Sequence, residues 1–245
     1  MKKKDFIIIL IISIISFYSL ALSPKAFTEE ENKKIVICID AGHQKKGDSK
    51  LENVSPNSIN KKPRVSQGTE GISTKKPEYV VNLEAAAILK DLLVEKGYTV
   101  IMTREEHDVN ISNSERAEIA NKSKADMTIR IHCDSLKDNS KTGATLLVPS
   151  SKGSTKDIFD ESNKYAEILK TNLKDNGVKV NGIFERNDIT GFNWSRVPVV
   201  IFEMGFMSNS CEDAMLCDKS YQRKLMSIVS DSIDQYKDGI KKLQN

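Results

Sequence analysis

The chain has 245 residues, 39% apolar and 29% charged. That is enough apolar material for one sizeable core, and with no self-similar period or low-complexity tract it excludes disordered, fibrous and repeat architectures. Its 37 Lys and Arg exceed its 34 Asp and Glu only through residues 1–26, where Lys2, Lys3, Lys4 and Lys25 stand against Asp5; the rest carries 33 of each, so bulk charge offers no reason to seek nucleic acid.

Lys2, Lys3 and Lys4 precede a charge-free, largely apolar run from Phe6 to Leu22. A basic start, an apolar middle and the small-x-small patterns Ser19-Leu20-Ala21 and Ala21-Leu22-Ser23 read as an export signal over residues 1–26. The run of about 17 residues lies at the short end of what spans a bilayer, which leaves a retained membrane anchor as the alternative. Residues 27–245 then form one domain. The four cysteines, Cys38, Cys133, Cys211 and Cys217, match no metal knuckle and no dense disulfide scaffold, and are read as unpaired.

Ile35 to Ile39 is a continuous β-branched run, as expected of a strand buried on both faces, and it ends in the turn Asp40-Ala41-Gly42-His43. Residues 44–76 are polar, and a stretch of that length inside a compact domain is expected to be functional or mobile. Pro77-Glu78 opens a helix with an apolar stripe at Val81, Ala85, Ile88 and Leu92, closed by Gly97. Tyr98–Met102 reads as a strand, and Ser112 or Ser114 caps a helix through Ala120. Met127–Ile131, Thr142–Val148 and Val197–Phe202 are further strands; Ile158–Leu173 and Tyr221–Leu243 are amphipathic helices. This alternation predicts an α/β fold, a single domain whose largely parallel twisted sheet is flanked by helices.

In such sheets ligands gather at the carboxyl ends of the strands. Of the three histidines, His43 and His132 directly follow predicted strands, as does Glu203, whereas His107 lies in the charged stretch Arg104–Asp108 and reads as a solvated loop residue. Two neutral imidazoles and a carboxylate with one open position suit a catalytic zinc site, with a second carboxylate moving protons. Glu203 follows an apolar strand, where it is either partly desolvated or turned to solvent; only the first state suits a base. For the ligand carboxylate, spacing alone leaves both Glu78 and Glu84 open.

Several segments are recognisable together. Ile37-Cys38-Ile39-Asp40-Ala41-Gly42-His43 resembles the opening zinc motif of the amidase_3 family of N-acetylmuramoyl-L-alanine amidases. Glu78 to Asn82-Leu83 resembles the family's glutamate-ligand segment, which selects Glu78 over Glu84. Thr103-Arg104, Asp108 and Ser114-Glu115-Arg116-Ala117 through Ala120-Asn121 resemble its connecting motifs. Ala125-Asp126 to His132 resembles the second histidine strand, and Val197 to Asn209 the catalytic glutamate segment.

The resemblance runs from about Lys34 to the C-terminal helix in the family's order. It implies Zn²⁺ held by His43, Glu78 and His132, Glu203 as general base and acid, and hydrolysis between N-acetylmuramic acid and L-alanine in peptidoglycan. Two departures stand out. Gln44-Lys45-Lys46-Gly47-Asp48 replaces the usual glycine-rich continuation, and Cys133 replaces a small residue after His132. Strand alternation turns Cys133 away from the metal. A catalytic domain without wall-binding repeats is similar to the CwlD-type sporulation amidases, and with the long polar loop it suggests an accessory activator protein. The competing expectations are another zinc peptidoglycan hydrolase, a carboxypeptidase or deacetylase, and a non-catalytic wall-binding protein.

Overall fold

The computed structural model of the protein describes residues 34–244; the leader expected over residues 1–26 lies outside the described residues. Among the described residues, eight strands and six α-helices follow one another: β1 (Val36–Ala41), β2 (Asp48–Asn53), β3 (Lys61–Val65), α1 (Glu78–Glu95), β4 (Thr99–Met102), α2 (Asn113–Lys122), β5 (Met127–Asp134), β6 (Ala144–Pro149), α3 (Lys156–Asp175), β7 (Val180–Arg186), α4 (Thr190–Asn193), β8 (Val199–Phe206), α5 (Ser210–Cys217) and α6 (Lys219–Gln244).

Six strands form one sheet in the order β4-β1-β5-β8-β6-β7. The first four run parallel, and β6 turns against β8 and carries β7 with it. The sheet is therefore largely parallel, as the alternation of strands and helices predicts. Successive residues of β1 explain why its sequence is a continuous apolar run. Ile37 and Ile39 enter the main core with Val81, Leu89 and Leu93 of α1 and Leu225 and Val229 of α6, whereas Cys38 faces Ala120 and Ala125 at α2. Both faces are covered, so neither can be polar.

Four features depart from the sequence reading. Residues 44–76 are not a bare loop: β2 and β3 pair antiparallel there as a separate two-stranded sheet. Strand β7 and helices α4 and α5 lie in stretches without a predicted element. The buried face of α1 is set by Val81, Ala85, Ala86, Leu89 and Leu93, while Ile88 and Leu92 of the predicted stripe are only half-buried. Strands β5 and β8 also run past His132 and Glu203, which sit inside them rather than beyond them.

Helix ends follow local chemistry. Ser112, rather than Ser114, caps α2: its side chain accepts from the Glu115 N–H while the Glu115 carboxylate accepts from the Ser112 N–H. After α1, Gly97 takes φ 83°, the left-handed conformation in which a glycine ends a helix.

Candidate metal centre

His43, Glu78 and His132 meet. One ligand atom from each lies within 4.8 Å of the others, and they form the one such group of His, Cys, Asp or Glu side chains among the described residues. The Glu78 carboxylate stands between the rings: Oε2 is 3.2 Å from His43 Nε2, and Oε1 is 3.3 Å from His132 Nδ1. The rings meet edge to face with centroids 4.8 Å apart.

Each residue is placed by a different element. His43 follows β1 at φ 60°, a conformation that non-glycine residues rarely adopt. Its Nδ1–H donates to the Ser66 carbonyl at 2.9 Å, which leaves the Nε2 lone pair for Glu78's side of the site. Glu78 is the first residue of α1, and its carboxylate accepts from the Thr69 N–H at 3.0 Å, the Cys133 N–H at 3.1 Å and Asn82 Nδ2–H at 3.0 Å. His132 projects from β5, with Nε2 buried and unpaired. A buried ring nitrogen without a hydrogen-bond partner beside two more donors of the right kind fits a divalent metal.

Close packing around the trio admits only glycine at two points. A Cβ at Gly42 would overlap the His132 ring. At Gly68, which takes φ 86°, a Cβ would lie 2.6 Å from Glu78 Oε2 and 2.9 Å from the His43 ring. Gly68 belongs to the segment leaving β3, so the hairpin of residues 48–65 feeds directly into the site.

The protonation states suit metal binding. Burial pushes His132 down to about 4, although its hydrogen bond to Glu78 opposes the fall, so the ring is neutral near pH 7. Burial would raise Glu78, but His43 and His132 outweigh it and hold its carboxyl well below the usual value. Glu203 behaves in the opposite way. Burial, then the charges of Glu78 and Asp134, raise it well above the ordinary carboxylate value, with Arg130 and Arg186 opposing. It is the desolvated state, and Oε2 is buried without a partner. Glu203 is the register partner of His132 on the neighbouring strand, so both side chains leave the same face of the sheet.

Beneath the trio lies a buried charge cluster. Asp40 Oδ1 accepts from Thr103 Oγ1 at 2.6 Å and Arg116 Nη1 at 2.7 Å, and Oδ2 accepts from Arg130 Nε at 2.7 Å. Burial raises Asp40, but the two guanidiniums prevail and hold it well below the usual range. Arg116, joined by Arg104, also grips the turn that carries His43. Arg104 donates to the carbonyls of Ala41 and Gly42, and Arg116 to those of Ala41 and His43, all at 2.8–2.9 Å.

Residues 37–235 match the Amidase_3 family, described as N-acetylmuramoyl-L-alanine amidase. The chain belongs to that family. Among curated relatives, this Amidase_3 chain is 28% identical over 171 residues to the probable cell wall amidase LytH of Staphylococcus saprophyticus, covering 69% of this chain and 54% of that one. It is 26% identical to the germination-specific N-acetylmuramoyl-L-alanine amidase of Bacillus subtilis, over 64% of this chain and 69% of the relative. The chain thus spans about half the length of the LytH proteins it matches and about two thirds of the germination amidase. The fold is that of the N-acetylmuramyl-L-alanine amidase Ami1 of Mycobacterium abscessus, with a TM-score of 0.74 at 20% identity over 82% of this chain and 98% of that one. It is also that of the CwlD amidase of Clostridioides difficile, solved in complex with the GerS lipoprotein: TM-score 0.65 at 22% identity, over 83% and 98% of the two chains.

Within this Amidase_3 fold the other sequence candidates fall elsewhere. Glu84 is not in the trio; it pairs with Lys76 at 2.6 Å and Lys219 at 3.2 Å. His107 lies in a loop away from the trio, half-buried, its ring packed edge to face against Tyr79 with centroids 5.4 Å apart. Cys133 is buried in the core cluster with its thiol toward Asn82, and burial raises that thiol well above its usual pKa, so it supplies a backbone N–H to Glu78 and no thiolate. All four cysteines are unpaired. Ser66, Gly68 and Thr69 reach the centre from a polar segment without hydrophobic period or motif, which is why sequence reasoning passed over them. Arg104 and Arg116 stand in connecting motifs, where their task became legible only with the contacts.

Proposed function

We propose that this chain is a zinc-dependent N-acetylmuramoyl-L-alanine amidase acting on peptidoglycan outside the cytoplasm. The reading rests on one observation above all: in a chain of the Amidase_3 family, two imidazoles and a carboxylate from three separate elements converge beside a desolvated glutamate. His43, Glu78 and His132 would hold the metal. When bound, Zn²⁺ supplies Lewis-acid polarisation of the scissile carbonyl and makes the attacking water acidic near neutral pH.

The chain's own part is to position and to move a proton. Glu203, whose burial raises its proton affinity, would take a proton from the attacking water and return it to the nitrogen of the leaving L-alanine. The neutral His132 and the ionised Glu78 keep the ligand set ready at physiological pH. Residues 1–26 would export the chain or anchor it, and residues 27–245 would form the catalytic domain. Among the described residues, no helix is long and apolar enough to cross a membrane. The GerS complex of the CwlD amidase supports an accessory protein as a partner here too, and the similarity to a germination-specific amidase supports spore peptidoglycan as one substrate form.

Mass spectrometry of digested sacculi tests the reaction. Stem peptides with a free L-alanine amino terminus, beside intact N-acetylmuramic acid, are expected. Release of D-alanine would make the enzyme a carboxypeptidase, and release of acetate a deacetylase. Glu203→Gln should retain zinc stoichiometry while turnover falls about 10²–10⁴-fold, the usual weight of general acid–base catalysis. Unchanged turnover would remove Glu203 from its role.

A further inference from the structure

The three ligand-bearing segments share one neighbour that is no ligand itself. Asn82 lies one helical turn after Glu78 on α1 and is fully buried. Its Nδ2 donates to Glu78 Oε1 at 3.0 Å and to the Gly42 carbonyl, next to His43, at 3.3 Å. Its Oδ1 accepts from the thiol of Cys133, next to His132, at 3.6 Å. The orientation of the amide is forced: a carboxylate and a carbonyl only accept, so the nitrogen must face them, and the thiol then meets the oxygen.

We infer that Asn82 is the positioning residue of the metal centre, fixing the Glu78 carboxylate, the His43 turn and the end of β5 in one geometry through a single buried amide. The inference rests on the proposed metal role of the trio. No other uncharged side chain of this size presents two donors and an acceptor in that fixed arrangement. Aspartate, which has the same shape, loses both donors and adds negative charge beside Glu78. Leucine or alanine leaves Glu78 Oε1 and the Gly42 carbonyl each short of a buried partner. The Gly42 carbonyl still has Arg104, and Glu78 Oε1 still has the Cys133 N–H, so the site loosens instead of collapsing. Partners that orient metal ligands without touching the metal are worth about 10–100-fold in affinity.

The test is zinc affinity by chelator competition for the full chain, Asn82→Ala and Asn82→Asp, with the visible absorption of the Co²⁺-loaded proteins and the urea midpoint of the metal-free forms. Affinity should fall about 10–100-fold in both variants and the Co²⁺ bands should shift, with the metal-free midpoint showing that each variant is folded, while Glu84→Ala, a control two residues further along α1 and outside the trio, should keep the zinc affinity of the unsubstituted chain. Zinc affinity within twofold of the unsubstituted chain in a folded Asn82 variant overturns the positioning role. If Asn82→Ala does not fold, Asn82→Ser, which keeps one donor in a smaller side chain, carries the same comparison. A failure of the metal reading looks different: the unsubstituted chain itself would then bind no stoichiometric zinc.

Discussion

His132 is available as a donor because its ring is largely enclosed and neutral, with β5 running on beyond it to Asp134 under the turn after β1. Its replacement removes one of three donors without touching the Asp40 cluster, so His132→Ala should fold and lose zinc; full metal content by elemental analysis would show that another side chain completes the set. Gly42 is the complementary case. Any Cβ there meets the His132 ring, and Gly42→Ala must displace either the ring or the turn whose carbonyls the two arginines hold. The expected result is loss of zinc together with about 1–3 kcal/mol of stability, the usual cost of overpacking, read by urea denaturation; a variant with native metal content would mean that the turn yields freely.

At the scale of elements, what was legible in the sequence was what repeats or alternates. The β1, β5 and β8 runs announce themselves by β-branched apolar stretches with a functional residue at the far end, and the family motifs add the choice of Glu78 over Glu84. The hairpin of residues 48–65 was not legible, because its strands, DSKLEN and KKPRV, bury almost nothing and carry no apolar alternation. It is held instead by polar ties of high sequence separation: Trp194 Nε1–H to the Asn53 carbonyl at 2.9 Å, Ser114 Oγ–H to Glu52 at 2.5 Å, and Arg64 to Glu115 at 2.7 Å. Such ties depend on which groups the fold brings together, and no local pattern encodes them. Asp213 works in the same way at the other end of the segment, accepting from the N–H groups of Ser73 and Thr74 and from Thr74 Oγ1 at 2.7–2.8 Å. Asp213→Ala should therefore release residues 71–76, making them the first site of limited proteolysis; cleavage elsewhere first would show that the loop is held by its own turns.

For the whole molecule, the buried charges predict an asymmetric response to pH. Asp40 has a folded-state pKa below its ordinary 3.8, so its contribution is present above that value and is lost as pH falls towards the folded one. His132 is lowered from 6.5 to about 4, so the unfolded chain takes up a proton across that window while the folded chain does not, and stability again falls on acidification. Glu203, raised well above 4.5, acts with the opposite sign, because the folded chain takes up its proton before the unfolded one. With that group removed as Glu203→Gln, the metal-free protein should weaken from about pH 6.5 downwards, with a second loss below about pH 4. Replacing Asp40 with Asn should flatten the second limb and cost about 3–5 kcal/mol at pH 7, since two guanidiniums lose their buried counter-charge. Chemical denaturation of metal-free Glu203→Gln across pH 3–8 measures both, and a flat profile between pH 6.5 and 4 in that variant would contradict the neutral His132.

The hairpin has a tethered root and a free crown. Ser66, Gly68 and Thr69 lean on His43 and Glu78, while Ile59 near the bend is 93% exposed. A short glycine–serine graft between Asn57 and Ser58 should accordingly leave zinc content unchanged, whereas the same graft after Ser66 should draw His43, Glu78 and His132 apart and lower it. The stretch thus offers an address for a fluorophore or an affinity handle that leaves the chemistry undisturbed.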